Sequence, residues 1–435
     1  MADAQTAPAP PAPPRRALAL DALRGLAIFG MCLSGSVPWT GLPDWMYHAQ
    51  FPRAGVEAVK FDPTHAGYTW VDLVFPAFLF AMGVAFPFAL NSRLKKGVPY
   101  WRLIVAMFLR GLAIAMFAFY VQHISFWGFP KEGNILGWLI DGLGGGGWVS
   151  KAVPAVYSLI GFALAFAIWM RFPKNWSPAV KAGVRTGGIV ALLFYLFALN
   201  WFAAVPEGMA AADVEFSEKL HNVATAIIGK SDIIIMVLAN VAIWGSLIWL
   251  LTRNNLLMRL GSLPIMYAVI AASHNEGSWM WYLSQTPGYW IGQSETLQGV
   301  IDQSHFLEFF LVQLPATIFH LGYNKYLFIV VPGTIVGDLL IKWMATSEEE
   351  DEGKANWDAA YFWKVAIFLV TLIVFLHIGL QGRWVIATAL TTLGAMTMGY
   401  WFVMRDAGTS TERLLTKLYS WAFFWTILGL IFEST

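Results

Sequence analysis

Apolar runs of about 20 residues recur along the whole of this 435-residue chain, and one such run is the length that an α-helix needs to cross a bilayer. Hydrophobic residues make up 57% of the chain and charged residues only 13%, whereas about a quarter of the residues of a soluble protein are charged. The pattern therefore predicts an all-α fold, a polytopic bundle of transmembrane helices.

We predict eleven spans, at approximately 17–37, 69–90, 101–121, 151–170, 184–205, 232–251, 259–274, 325–344, 360–378, 384–404 and 415–432. They form one transmembrane domain over residues 17–435, preceded by an Ala- and Pro-rich tail, residues 1–16, that we expect to be disordered. The segment 304–320 is apolar but contains His305, Glu308 and His320, so we expect it to be interfacial or re-entrant.

The distribution of basic residues predicts the orientation of the spans. With a cytoplasmic N-terminus, 18 of the 28 Lys and Arg residues lie on the inner side, eight lie on the outer side, and Arg24 and Arg110 lie within spans. Cytoplasmic loops are enriched in Lys and Arg, so this orientation is favoured, with the chain in the inner (cell) membrane. The acidic run 348–352 then falls in a cytoplasmic loop, where we expect a solvated linker.

Charge and cysteine content exclude several classes of function. The net charge of +1 gives no electrostatic basis for binding nucleic acid. The single cysteine, Cys32, excludes an intramolecular disulfide and a Cys-based zinc site, and we predict no metal centre. The expected partners are the lipid bilayer and a small-molecule or glycan acceptor, and association as a homo-oligomer or as a subunit of a membrane complex stays open.

A histidine and an aspartate near the outer end of the second span are the first candidates for chemistry. His48 lies in a loop, and Asp72 lies in the first turn of that span. Asp72 has two interpretations: it caps the free N–H groups of the helix, or it orients a histidine that acts as a base or an acyl acceptor. His65 is closer to Asp72 in sequence and competes with His48 for this role.

Charged residues within or beside spans are the second set, because charges inside a bilayer are costly and mark pathways or pairs. Asp21 and Arg24 share a helix face, either as an ion pair or with Arg24 binding phosphate at the cytoplasmic mouth. Arg110 lies about 13 Å into the third span and must face a partner or a water-filled cavity, and Asp338 is one candidate partner. A transporter would also use such charges, but no internal repeat is visible.

Three segments carry a resemblance to a known family. Leu20-Asp21-Ala-Leu-Arg24-Gly25 is similar to the Asp-x-x-Arg-Gly opening of the heparan-α-glucosaminide N-acetyltransferase family and its bacterial relatives. The stretch 69–83, with Asp72-Leu-Val-Phe-Pro76, resembles the second signature of that family, and Tyr47-His48-Ala49-Gln50 resembles its His-Ala-x-Trp segment. The resemblance is strong over residues 17–90 and weaker at 326–338.

The resemblance implies a membrane enzyme that moves acetyl from cytoplasmic acetyl-CoA to an amino sugar or similar acceptor on the outer side. It assigns His48 and Asp72, with His65 as the alternative histidine, to catalysis. The candidates for binding the acetyl-CoA co-substrate are Asp21, Arg24, Arg93, Lys95, Lys96, Arg102 and Arg110. Phe51 replaces the family's Trp and Gly35-Ser36 replaces its Asn, so a degenerate, non-catalytic subunit of a larger membrane complex is the alternative.

Overall fold

The computed structural model describes residues 17–38, 41–51, 62, 67–124, 135–145, 147–201, 215–272, 275–278, 281, 299, 305–346 and 348–433. No β-strand occurs in these ranges, and the all-α prediction is confirmed. The helices are α1 Leu18–Ser36, α2 Trp70–Lys95, α3 Tyr100–His123, α4 Ile135–Gly142, α5 Val149–Trp169, α6 Pro178–Asn200, α7 Phe216–Gly229, α8 Ile233–Thr252, α9 Leu256–Ala272, α10 Leu327–Ala345, α11 Ala359–Gln381, α12 Val385–Val403 and α13 Ser410–Glu433.

Nine helical stretches in the described residues are long and apolar enough to cross a membrane: α1, α2, α3, α5, α6, α8, α11, α12 and the stretch Phe306–Ala345 that includes α10. The chain is thus a multi-pass membrane protein. The other two predicted spans, 259–274 and 415–432, correspond to α9 and α13, which are not among the nine. α9 has only 17 residues, and α13 has 24.

The segment 304–320, which we expected to be interfacial or re-entrant, is a broken helix from its first described residue, 305. It contains a helical turn His305–Glu308, a π-helical turn Phe309–Gln313 and a helical turn Leu314–Ile318. Two non-helical residues and a 3₁₀ turn, Leu321–Tyr326, then lead to α10. The helical part, 305–318, rises about 21 Å, which is less than the hydrocarbon thickness of about 30 Å.

The described residues divide into two compact units. Unit one comprises Met1–Val98, Trp249–Leu256 and Phe328–Thr435, and unit two comprises Pro99–Ile248 and Leu257–Leu327. Each unit therefore contains segments that are far apart in sequence, and the unit boundaries fall inside α8 and at the start of α10.

In unit one, α2 and α10 approach closely through glycines. A Cβ atom built on Gly333 would lie 2.5 Å from the carbonyl oxygen of Phe80 and 3.2 Å from the Cα of Gly83. A Cβ on Gly337 would lie 2.5 Å from the carbonyl oxygen of Val84. Small residues four apart are the usual means by which membrane helices bring their backbones together, so these glycines form a seam that fixes α10 against α2.

The acidic run 348–352 of unit one, which we expected to be a solvated linker, is exposed at Glu350 and Glu352 but not at Asp351. Glu348–Asp351 is a helical turn, and the Asp351 carboxylate accepts hydrogen bonds from the hydroxyl and, at 2.7 Å, the backbone N–H of Ser410. The Asp351 side chain is only 12% exposed. The prediction was wrong for Asp351 because α13 begins at Ser410, and the N–H groups of a first helical turn need acceptors from outside the helix.

Glu412 joins two loops of unit one from a fully buried position. Its carboxylate accepts hydrogen bonds from the backbone N–H groups of Trp357 at 3.0 Å, Asn356 at 3.1 Å, Gly408 at 2.6 Å and Thr409 at 3.1 Å. Burial raises the pKa of Glu412, but these four hydrogen bonds outweigh it and hold the pKa below its ordinary value. A buried charge is stable here because backbone donors surround it.

The core of unit two contains tyrosines whose hydroxyls find backbone carbonyls. Tyr157 and Tyr195 stack with ring centroids 4.1 Å apart, and each donates a hydrogen bond to the carbonyl of the other, at 2.7 and 3.1 Å. The Tyr120 hydroxyl donates to the carbonyl of Gly161. These contacts hold α3, α5 and α6 together, since buried polar groups in a low-dielectric interior need partners.

Candidate functional site

The loop that carries His48 is held by the tyrosine before it. Tyr47 is buried, its hydroxyl donates to the carbonyl of Pro38 at 3.0 Å, and the same hydroxyl accepts from Leu42 N–H at 3.2 Å. Ala49 is also buried, with 1% exposure. The side chain of His48, between these two anchors, is therefore directed outward and is 55% exposed.

The first turn of α2 receives this loop. Thr69 precedes the helix, and its hydroxyl donates to the carbonyl of Tyr47 at 2.6 Å. Its N–H donates to Asp72 Oδ2 at 2.8 Å, which is how an acidic residue at the third helical position caps an N-terminus. The structural interpretation of Asp72 as a cap is thus correct for one of its two carboxylate oxygens.

The other carboxylate oxygen of Asp72, Oδ1, contacts His48. His48 Nδ1 lies 2.6 Å from Asp72 Oδ1, and Asp72 Oδ2 accepts a further hydrogen bond from Ala49 N–H at 3.0 Å. Asp72 is 17% exposed. Because an ionised carboxylate only accepts hydrogen bonds, we assign the proton of neutral His48 to Nδ1, which leaves Nε2 as a basic nitrogen on a half-exposed ring.

The structure therefore brings together His48 and Asp72, the pair that the sequence puts forward for catalysis. An imidazole whose tautomer and orientation are held by a carboxylate is the arrangement that general bases and nucleophilic histidines use. His65, the alternative histidine, lies outside the described residues, and its role stays a prediction. His48 is also near Phe51, at a centroid separation of 6.4 Å in an edge-on contact.

Arg383 also contacts this site, and sequence analysis did not identify it as a site residue. Its Nη2 donates to the carbonyl of Ala49 at 3.1 Å, across 334 residues of sequence. Arg383 lies in the turn between α11 and α12 and has φ 63°, a left-handed conformation that costs energy for a residue other than glycine. The guanidinium thus stabilises the backbone next to His48. No local pattern could have indicated a contact over such a separation.

The same turn meets the segment before α2. Gly67 has φ 89°, and a Cβ atom there would overlap the carbonyl of Leu380. Tyr68 contacts the ring of His377 edge-on, with centroids 5.9 Å apart, and burial raises the pKa of the Tyr68 phenol. The end of α11 therefore supports both chain segments that meet at the His48–Asp72 pair.

The cations at the far end of α2 lie a membrane thickness away from this pair. Arg93, Lys95 and Lys96 are exposed at the C-terminal end of the helix, where positive charge complements the helix dipole. Asp72 and Arg93 are 21 residues apart, a rise of about 32 Å. This separation fits a helix with one end at each membrane surface.

Arg24 is not grouped with those cations. α1 runs antiparallel to α2, because Pro38, after the end of α1, contacts Tyr47 beside the start of α2, and a Cβ on Gly30 would lie 2.9 Å from Val74 Cγ2. Arg24 is six residues before Gly30, so it lies level with the middle of α2, about 12 Å along the axis from Asp72 and about 20 Å from Arg93. Asp21 and Arg24 are both exposed.

The remaining predicted residues fall in unit two. Arg102 is exposed in the first turn of α3, with its guanidinium 5.2 Å from the ring centroid of Trp101. Arg110 is exposed in the middle of α3. Asp338, its suggested partner, belongs to unit one, where it accepts from Trp249 Nε1 at 3.2 Å. The pairing of Arg110 with Asp338 stays a prediction.

Comparison with known proteins gives one match. The sequence model of a family described as "Domain of unknown function (DUF5009)" matches residues 16–317, more than half of the chain and including the His48–Asp72 pair. No curated protein matches the chain, and no solved structure matches it either.

Proposed function

The chain belongs to the family described as "Domain of unknown function (DUF5009)", and from its His48–Asp72 pair we propose that it is a transmembrane acyltransferase. In this proposal, it moves acetyl from acetyl-CoA to the amine of an amino sugar or a similar acceptor, across the cell membrane. The observation that carries the proposal is the 2.6 Å contact between His48 Nδ1 and Asp72 Oδ1 on a half-exposed imidazole.

The chemistry follows from that contact. Neutral Nε2 of His48 attacks the carbonyl carbon of the thioester, the carbon–sulfur bond breaks and the CoA thiolate leaves, which places acetyl on the imidazole. The positive charge of the ring is stabilised by Asp72. The acceptor amine then attacks the same carbonyl carbon, the bond between that carbon and Nε2 breaks, and the freed Nε2 takes the proton that the amine loses and passes it to solvent or to the CoA thiolate. Alternatively, His48 acts as a base, removing the proton from the amine during direct attack on the thioester.

The position of Arg24 supports binding of acetyl-CoA from the cytoplasmic side. A CoA held by its phosphates at Arg93, Lys95 and Lys96 would have to carry its thioester about 32 Å along α2 to reach His48. Arg24, about 12 Å from the level of Asp72, lies within the reach of an extended pantetheine arm. In the proposal Arg24 therefore binds the diphosphate, and the α2 cations attract the nucleotide to the inner mouth.

The test is transfer of labelled acetyl from acetyl-CoA to glucosamine by the purified protein. We expect His48→Ala to abolish transfer and Asp72→Asn to reduce it about 100-fold or more, within the range in which general acid–base catalysis contributes, while acetyl-CoA binding stays nearly normal. His65→Ala should only weaken transfer. His320→Ala, which changes an exposed histidine of unit two, is the matched control. Activity in His48→Ala but not in His65→Ala would assign the role to the other histidine.

A short acetyl donor separates the chemical site from the CoA site. The acetyl thioester of N-acetylcysteamine has the reactive carbonyl but no phosphate, so its use should depend on His48 and be insensitive to Arg24→Ala. Acetyl-CoA should depend on both residues, and a Lys95/Lys96 double neutralisation should weaken acetyl-CoA binding less than Arg24→Ala does. Unchanged acetyl-CoA affinity in both variants, measured by titration in nanodiscs, would remove this binding site from consideration.

Arg110 favours a second candidate function, a non-catalytic subunit of a membrane complex. Its side chain is exposed in the middle of a membrane helix, and intramembrane arginines usually face a partner or a cavity. If the purified protein transfers no acetyl to any amino sugar, and a complex isolated from membranes dissociates with Arg110→Leu but not with Arg102→Leu, this second function replaces the first.

A further inference from the structure

An apolar groove runs along the outward face of α6 in unit two. It has a volume of about 480 Å³ and is lined by Ile135, Leu193, Phe194, Phe197, Ala198 and Trp201. Five of these six residues recur at helical spacing on one side of α6 and its cap, while Leu192, Tyr195 and Leu196 on the opposite side are buried. The volume lies in the range of small-ligand sites, and the lining suits a hydrocarbon chain.

A lysine side chain that is largely buried adjoins one end of this groove. Lys219 of α7 is 9% exposed, and its Nζ lies 4.5 Å from the ring centroid of Trp201. Among the described residues, the ion pairs include none of the Lys219 ammonium, which contacts the Trp201 ring. A cation–π contact offsets part of the cost of burying the charge, but an ammonium has three N–H donors, so an anionic ligand would stabilise it further.

Trp201 connects the two features, since it lines the groove and contacts Lys219. We propose that the groove and Lys219 together form a binding site for an anionic phospholipid of the membrane. One acyl chain lies along Leu193, Phe194 and Phe197, and the headgroup phosphate pairs with Lys219.

The direction of the groove matches the way a lipid sits in a bilayer. Leu193 is eight residues before Trp201, so the apolar stripe rises about 12 Å along α6 towards its C-terminal end. Trp201 follows the last residue of this membrane helix, and tryptophan at such a position is typical of the membrane–water interface. The apolar end of the site thus points into the hydrocarbon region and the charged end points to the headgroup level.

The experiment compares lipids on the purified full-length protein in detergent, with retention measured by native mass spectrometry and stability by thermal melts. The probes are phosphatidylglycerol, phosphatidylcholine, oleate and inorganic phosphate. We expect phosphatidylglycerol to be retained about five- to tenfold more strongly than phosphatidylcholine, as one lysine near anionic headgroups provides, and to raise the melting temperature. Phosphate alone should give neither effect.

Three variants test the two halves of the site. Lys219→Met keeps the apolar stem and should lose the preference for phosphatidylglycerol, and Lys219→Arg should restore it. Lys230→Met, which removes an exposed charge at the end of α7, is the control and should behave as wild type. Ala198→Trp fills the groove and should reduce retention of both phospholipids.

Several results would overturn the proposal. One is an equal effect of the Lys219→Met and Lys230→Met substitutions, and another is an unchanged retention in Ala198→Trp. Retention of oleate without phosphatidylglycerol would make this a fatty-acid site, and competition by inorganic phosphate alone would reduce it to an anion site. If Lys219→Met does not fold, retention of phosphatidylglycerol by Lys219→Arg and Ala198→Trp tests the proposal.

Discussion

Replacing Gly333 by alanine tests the glycine seam between α2 and α10, on which the position of the His48–Asp72 helix depends. The added Cβ would lie 2.5 Å from the carbonyl oxygen of Phe80 and 3.1 Å from the backbone nitrogen of Val84, whereas ordinary contacts begin at 3.4 Å. The two helices must therefore separate by roughly 0.9 Å. Since both opposing atoms belong to a helix backbone, no side chain can rotate to make room.

Two opposing effects determine how much Gly333→Ala destabilises the protein. Overpacking of this kind costs about 1–3 kcal/mol, and the upper end applies because the opposing atoms are backbone. Alanine gains about 1 kcal/mol over glycine in a helix. The net loss of about 2 kcal/mol corresponds to a melting temperature lower by about 4–8 °C for a unit of this size.

The assay is thermal unfolding in detergent, followed by the fluorescence of the 22 tryptophans. Gly394→Ala is the matched control, because it lies in α12 with nothing within 4 Å of its added Cβ, and it should leave the melting temperature unchanged or slightly raised. Gly83→Ala should add little to Gly333→Ala, since helices already pushed apart accommodate the second methyl group. If Gly333→Ala had the same melting temperature as wild type, the glycines would not be needed for the close packing of α2 and α10.

Three further predictions follow from the contacts of unit one. Glu412→Gln should cost about 2–4 kcal/mol at neutral pH, because it replaces a buried charged acceptor of four backbone N–H groups. The pKa of Glu412 in the folded protein is lowered from 4.5. The stabilisation by the ionised carboxylate is therefore complete above pH 4.5 and is lost as the pH falls through the folded pKa. The difference between the melting temperatures of wild type and Glu412→Gln should accordingly become smaller in acid. Arg383→Ala should speed the hydrogen exchange of the peptide 47–51 and leave the exchange of α13 unchanged. If the peptide 47–51 exchanged at the same rate in the variant and in wild type, Arg383 would not position that loop. Thr69→Val should destabilise the protein by about 1–2 kcal/mol, measured by thermal melts against Thr397→Val, which changes an exposed helical threonine.

The proposed function and the lipid site rest on different parts of the chain, and experiments can separate them. His48, Asp72 and Arg24 belong to unit one, whereas Lys219 and the α6 groove belong to unit two. Lys219→Met should therefore leave transfer from the short thioester unchanged even if it removes the lipid. His48→Ala should leave the preference for phosphatidylglycerol intact.

The helices of this protein could be predicted from its sequence, because a bilayer imposes a local rule. A backbone in lipid must satisfy its hydrogen bonds within one segment, so a run of about 20 apolar residues predicts one helix. Nine of the eleven predicted spans match long apolar helices. The His48–Asp72 contact could also be anticipated, since both residues flank the start of α2 and a carboxylate in a first helical turn is available to a neighbouring loop.

The contacts between segments that are distant in sequence depended on tertiary structure. Arg383 reaches Ala49 across 334 residues, Asp351 caps α13 across 59 residues, and Lys219 meets Trp201 beside a groove that only the packing of α4 and α6 creates. Arg24 lies level with the middle of α2 because Gly30 packs against Val74 and so sets the register of α1 on α2. Hydropathy predicts that these helices lie in lipid, but lipid chains are as apolar as leucine, so shape and backbone approach decide which helices meet.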